Sequence, residues 1–342
     1  MITPARNIQL DNCTDGHLVT LETLAPDQIL PLIITARGDV DLEAWYESNA
    51  GFLEQRLLEN GGILFRGFGK RDAAGLESFI QVSAGQSLAY KERSSPRTQV
   101  NGNIYTSTEY PPGQNIFLHN ENSYQQTWPM KLYFLCTLEP KDRGETPLAD
   151  CRKIHARLPE PLRGKFAEKG FRIVRNYGMA MGLDWQMVFG TSNKAEVDAY
   201  CKQRDIRTEW KPGDELRTIT IRNHPSMKHP KTGAVTWFNH GTFFHVTTMD
   251  PNLGQVLMDC MAEEDLPTNT YYGDGTRIAP EDLDALRDIY HKETVLFPWR
   301  EGDVLIIDNM LTAHGRRPFS GPRKILVGMA DPIDRETILK QT

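Results

Sequence analysis

No stretch of this 342-residue chain is apolar for long enough to cross a bilayer. The best run, ILPLII at Ile29 to Ile34, falls far short of the roughly 20 residues that a spanning helix needs. The amino terminus, MITPARNIQLDNCTDGHL, holds no apolar signal core, so a cytoplasmic protein is expected. The five cysteines, Cys13, Cys136, Cys151, Cys201 and Cys260, are odd in number and show no C-x-x-C spacing. That argues against a disulfide framework and a zinc knuckle, and for reduced thiols. Basic blocks are missing too: 39 Lys and Arg stand against 45 Asp and Glu, a net charge of −6. Such a chain offers no positive field to a nucleic acid, which is not expected as a partner. There is no internal repeat and no low-complexity tract. The helical H-E-x-x-H pattern that commonly supplies zinc in hydrolases is also absent.

With 39% hydrophobic residues the chain can bury a substantial core, and one elaborated domain spanning 1–342 is expected. Leu42, Trp45, Phe52, Leu53 and Leu57 recur at helical spacing between Asp41 and Asn60, and Gly61-Gly62 stops that helix. ILFRGF then reads as a buried strand entering a turn, and Ala73 to Val82 as a second helix. The region Ser94 to Gly113, rich in Ser, Arg and Gly, reads as a loop. Ile116 to Leu138 contains strand-like segments, and Lys153 to Lys169 a helix interrupted by Pro159 and Pro161. Asn193 to Gln203 looks helical, while LRTITIRN at Leu216 to Asn223 alternates as a strand. Pro225, Pro230 and Gly233 bracket a hairpin, followed by aromatic and β-branched VTWFN and FFHV, which favour strands. Trp299 to Asp303 is a turn, with buried strands at Val304 to Ile307 and Lys324 to Met329. Many short strands, with helices at the front and in an insert, suit an α+β or mainly β fold: a double-stranded β-helix (jelly-roll) core with flanking helices.

The segment LHNENSY carries His119, Asn120 and Glu121. On a strand, residues i and i+2 share a face, so His119 and Glu121 point together while Asn120 points away. Alone, a histidine beside a carboxylate is more often a structural hydrogen-bonding pair. His314, in a loop past the strand Val304 to Ile307 and its Asp308-Asn309 turn, shifts the balance. Two histidines and one carboxylate on one face of a metal, with the opposite positions open, are diagnostic of non-haem Fe(II) oxygenases.

Together GGILFRGF, LHNENSY, GETPLADCRKI, WREGDVLIIDNMLTAHGRRPF and GPRKIL resemble the taurine dioxygenase-like (TauD/TfdA-type) family of Fe(II)/2-oxoglutarate-dependent oxygenases. The branch most similar is that of the aspartyl hydroxylase of syringomycin biosynthesis. The resemblance implies a dioxygenase using Fe(II), 2-oxoglutarate and O2, with His119, Glu121 and His314 as catalytic metal ligands. It implies that Thr146 and Arg323 bind 2-oxoglutarate, and that Asn115 and Asn239, the latter beside Phe238, touch substrate. Many members carry a second arginine where this chain has Val327, for which Lys324, Arg316 or Arg317 are candidate substitutes. Glu121 argues against halogenation, because halogenases of this superfamily lack the carboxylate. The implied reaction is hydroxylation at Cβ of an amino acid, free or bound to a carrier protein, in the biosynthesis of specialised metabolites such as antibiotics. Desaturation of a similar substrate, or a non-catalytic protein that binds metal and 2-oxoglutarate, are the alternatives. An acidic carrier would want a basic rim, for which Lys91, Arg93 and Arg97 are candidates against the bland reading of a solvated charged face. The residues leave monomer and homo-oligomer open.

Overall fold

The computed structural model describes residues 13–90, 97–108, 110–178 and 183–340. An eight-stranded sheet runs in the order Val19–Ala25, Gln28–Ala36, Gly62–Arg66, Val304–Asp308, Thr127–Leu138, Lys324–Asp334, Ile104–Thr106 and Gln99–Asn101. Its neighbours are antiparallel except Gln28–Ala36 and Gly62–Arg66. A parallel pair needs a crossover, and helices Leu42–Ser48 and Ala50–Asn60 supply it. A smaller antiparallel sheet has the order Thr294–Val295, Leu148–Asp150, Thr312–Arg316, Ile116–His119. A third, Ile206–Lys211, Glu215–Arg222, Phe171–Tyr177, Thr268–Tyr272, is formed largely by the insert.

Alternation along the strands decides the layers. Leu132, Phe134, Leu305, Ile307 and Ile325 of the large sheet pack with Leu148 of the small sheet, Phe297 and Trp299. Their neighbours Tyr133, Leu135, Val304, Ile306 and Leu326 turn the other way, onto Leu42, Trp45, Leu53, Leu57, Leu76 and Phe79 of the front helices. With both faces covered, Val304–Asp308 reads as a continuous apolar run rather than an alternating one. Phe117, Ala149 and Ala313 of the small sheet pack outward against helices Cys151–Arg157, Glu160–Lys169 and Pro280–Glu293.

Several expectations change. The helix over Asp41 to Asn60 is two helices, broken where the Asn49 amide donates to the carbonyls of Trp45 and Thr14 and accepts from the Thr14 N–H. Asparagine competes with helix by this side-chain-to-backbone bonding. Ser94 to Gly113 is not all loop, because Gln99–Asn101 and Ile104–Thr106 form a hairpin on the sheet edge and bury Ile104 and Tyr105. FFHV is not a strand: it lies in helix Gly241–Phe244 and the 3-10 turn Val246–Thr248. There Asn239 Oδ1 accepts from Gly241 N at 3.0 Å, and this turn overrides the β propensity of the aromatics. All five cysteines are free. Among the described residues no helix is long and apolar enough to cross a membrane.

Candidate metal centre and cosubstrate cavity

His119 is the last residue of strand Ile116–His119, and His314 lies in strand Thr312–Arg316, directly paired with it across the ladder. The expected loop position of His314 is therefore a strand position, held by Leu148 on one side and His119 on the other. Glu121 sits in the turn just beyond the His119 strand rather than on it. What fixes it is Asn309, which is fully buried. Asn309 Oδ1 accepts from Glu121 N at 2.8 Å, and its Nδ2 donates to the carbonyls of Glu121 at 2.9 Å and Pro129 at 2.8 Å. Asn120 does point away, as alternation requires, and its Nδ2 donates to the carbonyls of Asn309 at 2.6 Å and Thr312 at 3.3 Å. The two asparagines clamp the Glu121 turn to the approach of the His314 strand.

The ligand-capable atoms of His119, Glu121 and His314 all lie within 4.8 Å of one another, and all three residues are buried. His119 Nδ1 is 2.9 Å from the Phe117 carbonyl. A carbonyl only accepts, so Nδ1 bears the hydrogen and the Nε2 lone pair is free for a metal. Burial holds the His119 pKa below its ordinary value. Burial, reinforced by the neighbouring His119, holds that of His314 well below. Neutral imidazoles beside a buried carboxylate form a donor set that fits a divalent cation. His314 Nε2 lies 3.8 Å from Glu121 Oε2, and its Nδ1 has no partner.

Thr146 and Arg323 line one cavity with His119 and His314, together with Arg97, Arg316, Ser107 and Thr108. Ile116, Phe134, Ile325 and Val327 make its apolar wall. Thr146 accepts a hydrogen bond from the Trp299 indole at 3.1 Å, so its own hydroxyl hydrogen remains to be donated. Arg323 Nε donates to the Gly144 carbonyl at 2.9 Å and Nη1 to Ser107 Oγ at 3.4 Å. Burial, then the charge of Arg316, pushes the Arg323 pKa down to about 10. Of the substitutes considered for Val327, Lys324 is exposed, and Arg316 gives its Nη groups to the carbonyls of Thr108, Tyr110, Pro111 and Gln114.

The suggested substrate residues do not gather here. Asn115 is exposed at the far end of the His119 strand. Asn239 is buried, and its amide is engaged by the Pro225 carbonyl and the Gly241 N–H. Phe238 packs against Trp128 in the core. Lys91 and Arg93 lie outside the described residues. Arg97 is not a surface charge: it is buried, with Nη2 2.8 Å from Glu121 Oε2. Its burial and its pairing with a carboxylate 24 positions away leave no periodic trace in the sequence. His240 packs with its ring centroid 5.4 Å from that of His119 and Nδ1 3.1 Å from the Asn120 carbonyl.

A buried two-histidine, one-carboxylate face beside an arginine and a hydroxyl suits Fe(II) and a chelating dicarboxylate. The model of the taurine catabolism dioxygenase TauD, TfdA family matches residues 22–330, and the chain belongs to that family. It is a non-haem dioxygenase that depends on Fe(II), 2-oxoglutarate and O2. It is 34% identical to the dapdiamide synthesis protein DdaC of Enterobacter agglomerans over 302 residues, 88% of this chain and 91% of that one. It is 30% identical to a clavaminate synthase-like protein of Arabidopsis thaliana over 291 residues, 81% and 84% of the two chains. Among solved structures it is similar to Pseudomonas aeruginosa PvcB, described as an Fe, alpha-ketoglutarate dependent oxygenase from an isonitrile synthetic pathway. The TM-score is 0.54 at 17% identity, covering 95% and 94% of the chains, a likeness of fold.

Proposed function

We propose that this dioxygenase hydroxylates an unactivated carbon, Cβ, of an amino acid or a carrier-bound aminoacyl group in specialised metabolism. His119, Glu121 and His314 hold Fe(II), and Thr146 and Arg323 hold 2-oxoglutarate. The observation that carries this is the clustering of ligand-capable atoms of His119, Glu121 and His314 within 4.8 Å, with both histidines lining the cavity that also contains Thr146 and Arg323. The metabolic setting is supported by relatives named for dapdiamide synthesis and for an isonitrile pathway. The large and small sheets packing face to face support a jelly-roll core, and residues 22–330 a single catalytic domain.

Bound Fe(II) supplies chelation of the cosubstrate and activation of dioxygen, so that 2-oxoglutarate becomes succinate and carbon dioxide while a C–H bond is oxidised. The chain does the rest. The Phe117 carbonyl fixes the His119 tautomer, and Asn309 fixes the turn that presents Glu121. The Arg323 guanidinium and the Thr146 hydroxyl converge on one carboxylate, orienting a short dicarboxylate with its other end toward the metal ligands. Ile116, Phe134, Ile325 and Val327 exclude water from that end. Glu121 would supply the carboxylate ligand that halogenases of this superfamily lack, which favours oxygenation.

The test is an anaerobic optical titration of apoprotein with Fe(II) and 2-oxoglutarate, watching for the visible band of the chelate. The band is expected in the natural protein and absent in His314→Ala. Correctly folded natural protein with neither band nor bound iron refutes the site.

A further inference from the structure

Arg97 is a guanidinium used on one side only. It is buried on the cavity wall, its Nη2 donates to Glu121 Oε2 at 2.8 Å, and it lies 4.6 Å over the Tyr90 ring. Its Nε and Nη1 are buried with no hydrogen-bond partner among the described residues. Unpaired donors of a buried charge are costly, so an acceptor is expected to complete them. Nη2 has two hydrogens. Whichever one Glu121 takes, the other stands parallel to Nε–H or Nη1–H, so a two-donor edge remains, the geometry that fits a second carboxylate.

Charge points the same way. Three arginines, Arg97, Arg316 and Arg323, line the cavity and no acidic side chain does. Glu121 and the two carboxylates of 2-oxoglutarate leave Fe(II) and these arginines with positive charge in excess. The other two guanidiniums are more fully engaged, Arg316 keeping only its Nε unpaired among the described residues. Arg316 serves backbone carbonyls, and Arg323 sits with Thr146 at the cosubstrate end.

We propose that Arg97 anchors a carboxylate of the substrate. The inference rests on the functional reading above and narrows it: the substrate keeps a free carboxylate a few bonds from the oxidised carbon, tied through Arg97 to the metal ligand Glu121. A carrier-bound substrate is then one whose carboxylate is not the group joined to the carrier.

The experiment uses anaerobic protein loaded with Fe(II) and 2-oxoglutarate, titrated with propionate against propionamide and with L-alanine against L-alaninamide. The band position and the heat of binding are followed. The acids are expected to shift the band, and the isosteric amides to bind roughly 10-fold more weakly or less. Arg97→Lys keeps a charge beside Glu121 but loses the parallel edge. It should retain the band and its 2-oxoglutarate affinity while losing roughly 10-fold in affinity for the acids; Arg97→Leu is the second variant. Acids and amides that act alike, acids that fail to bind, or variants that titrate as the natural protein overturn the proposal. So does loss of the band with propionate, which places the acid on Arg323, or a weakening in Arg97→Lys confined to 2-oxoglutarate. Failure of the band to form in the natural protein is a different result, and strikes the functional reading instead.

Discussion

Asn309→Ala isolates the device that holds Glu121. The side chain makes three short hydrogen bonds, all to backbone groups: the Glu121 N–H, the Glu121 carbonyl and the Pro129 carbonyl. The residue is fully buried, so water does not readily replace them. Each bond contributes on the order of 1 kcal/mol, and each backbone group stranded without a partner costs about 1–3 kcal/mol. Partial relaxation of the turn brings the expected total to about 3–5 kcal/mol. Scaled by the entropy of unfolding of a 342-residue chain, that is a fall in melting temperature of about 4–7 °C. Because the turn carries the proposed metal ligand Glu121, Fe(II) affinity should drop by roughly 10- to 100-fold, as when a group supporting a ligand is removed. Urea denaturation with and without Fe(II) reads both quantities. A loss below about 1 kcal/mol together with unchanged Fe(II) affinity would show that Asn309 does not hold the turn, and would refute the reasoning.

Gly315 lies between the ligand His314 and Arg316, where a Cβ would stand 2.4 Å from the Ile116 carbonyl of the partner strand. Gly315→Ala should therefore cost about 1–3 kcal/mol and weaken Fe(II) binding, and a variant as stable as the parent with full iron affinity would contradict this close approach. Trp299→Phe removes the indole donor to Thr146. It should raise the 2-oxoglutarate dissociation constant by roughly 3- to 10-fold, with little change for Fe(II), and equal loss of both ligands in calorimetry would argue for general disruption. His119, His240 and His314 all have pKa values lowered from the ordinary 6.5, burial being the largest cause. In the unfolded chain they bind protons near 6.5 and in the fold only at lower pH, so stability of the apoprotein should fall as pH drops below about 6.5. A melting temperature flat from pH 7 to pH 5 would count against neutral buried imidazoles.

The clustering of His119, Glu121 and His314 was legible because chemistry constrains candidate metal ligands to a short pattern: a histidine and a carboxylate two positions apart and a second histidine in a distant polar cluster after an apolar strand. Thr146 and Arg323 were legible only through family likeness, since a hydroxyl in GETPLAD and a basic residue in GPRKIL carry no pattern of their own. The main helices and the apolar strands followed from periodicity. What escaped were residues whose role depends on a long-range partner. Arg97, with Lys91 and Arg93 nearby, looked like part of a solvated cluster, yet it is buried against Glu121. Asn309 read as a turn residue, although its amide spans the site to the Glu121 backbone 188 positions away. Asn239 was suggested as a substrate contact only through family likeness, and the hydrogen bond from Gly241 N to its amide oxygen at the start of a helix has no sequence signal of its own.

The order of strands in the large sheet bears on how the chain is made. Val304–Asp308 and Lys324–Asp334 are synthesised after their sheet neighbours, yet they lie inside the sheet, each between strands from earlier in the chain. Until they emerge, Gly62–Arg66, Thr127–Leu138 and Ile104–Thr106 expose unpaired edges, and a nascent or truncated chain presents ready templates for aggregation. His314 arrives with the same segment, so the proposed iron site is complete only as the sheet closes. On that assignment, synthesis order keeps a redox-active metal out of an unfinished, open protein.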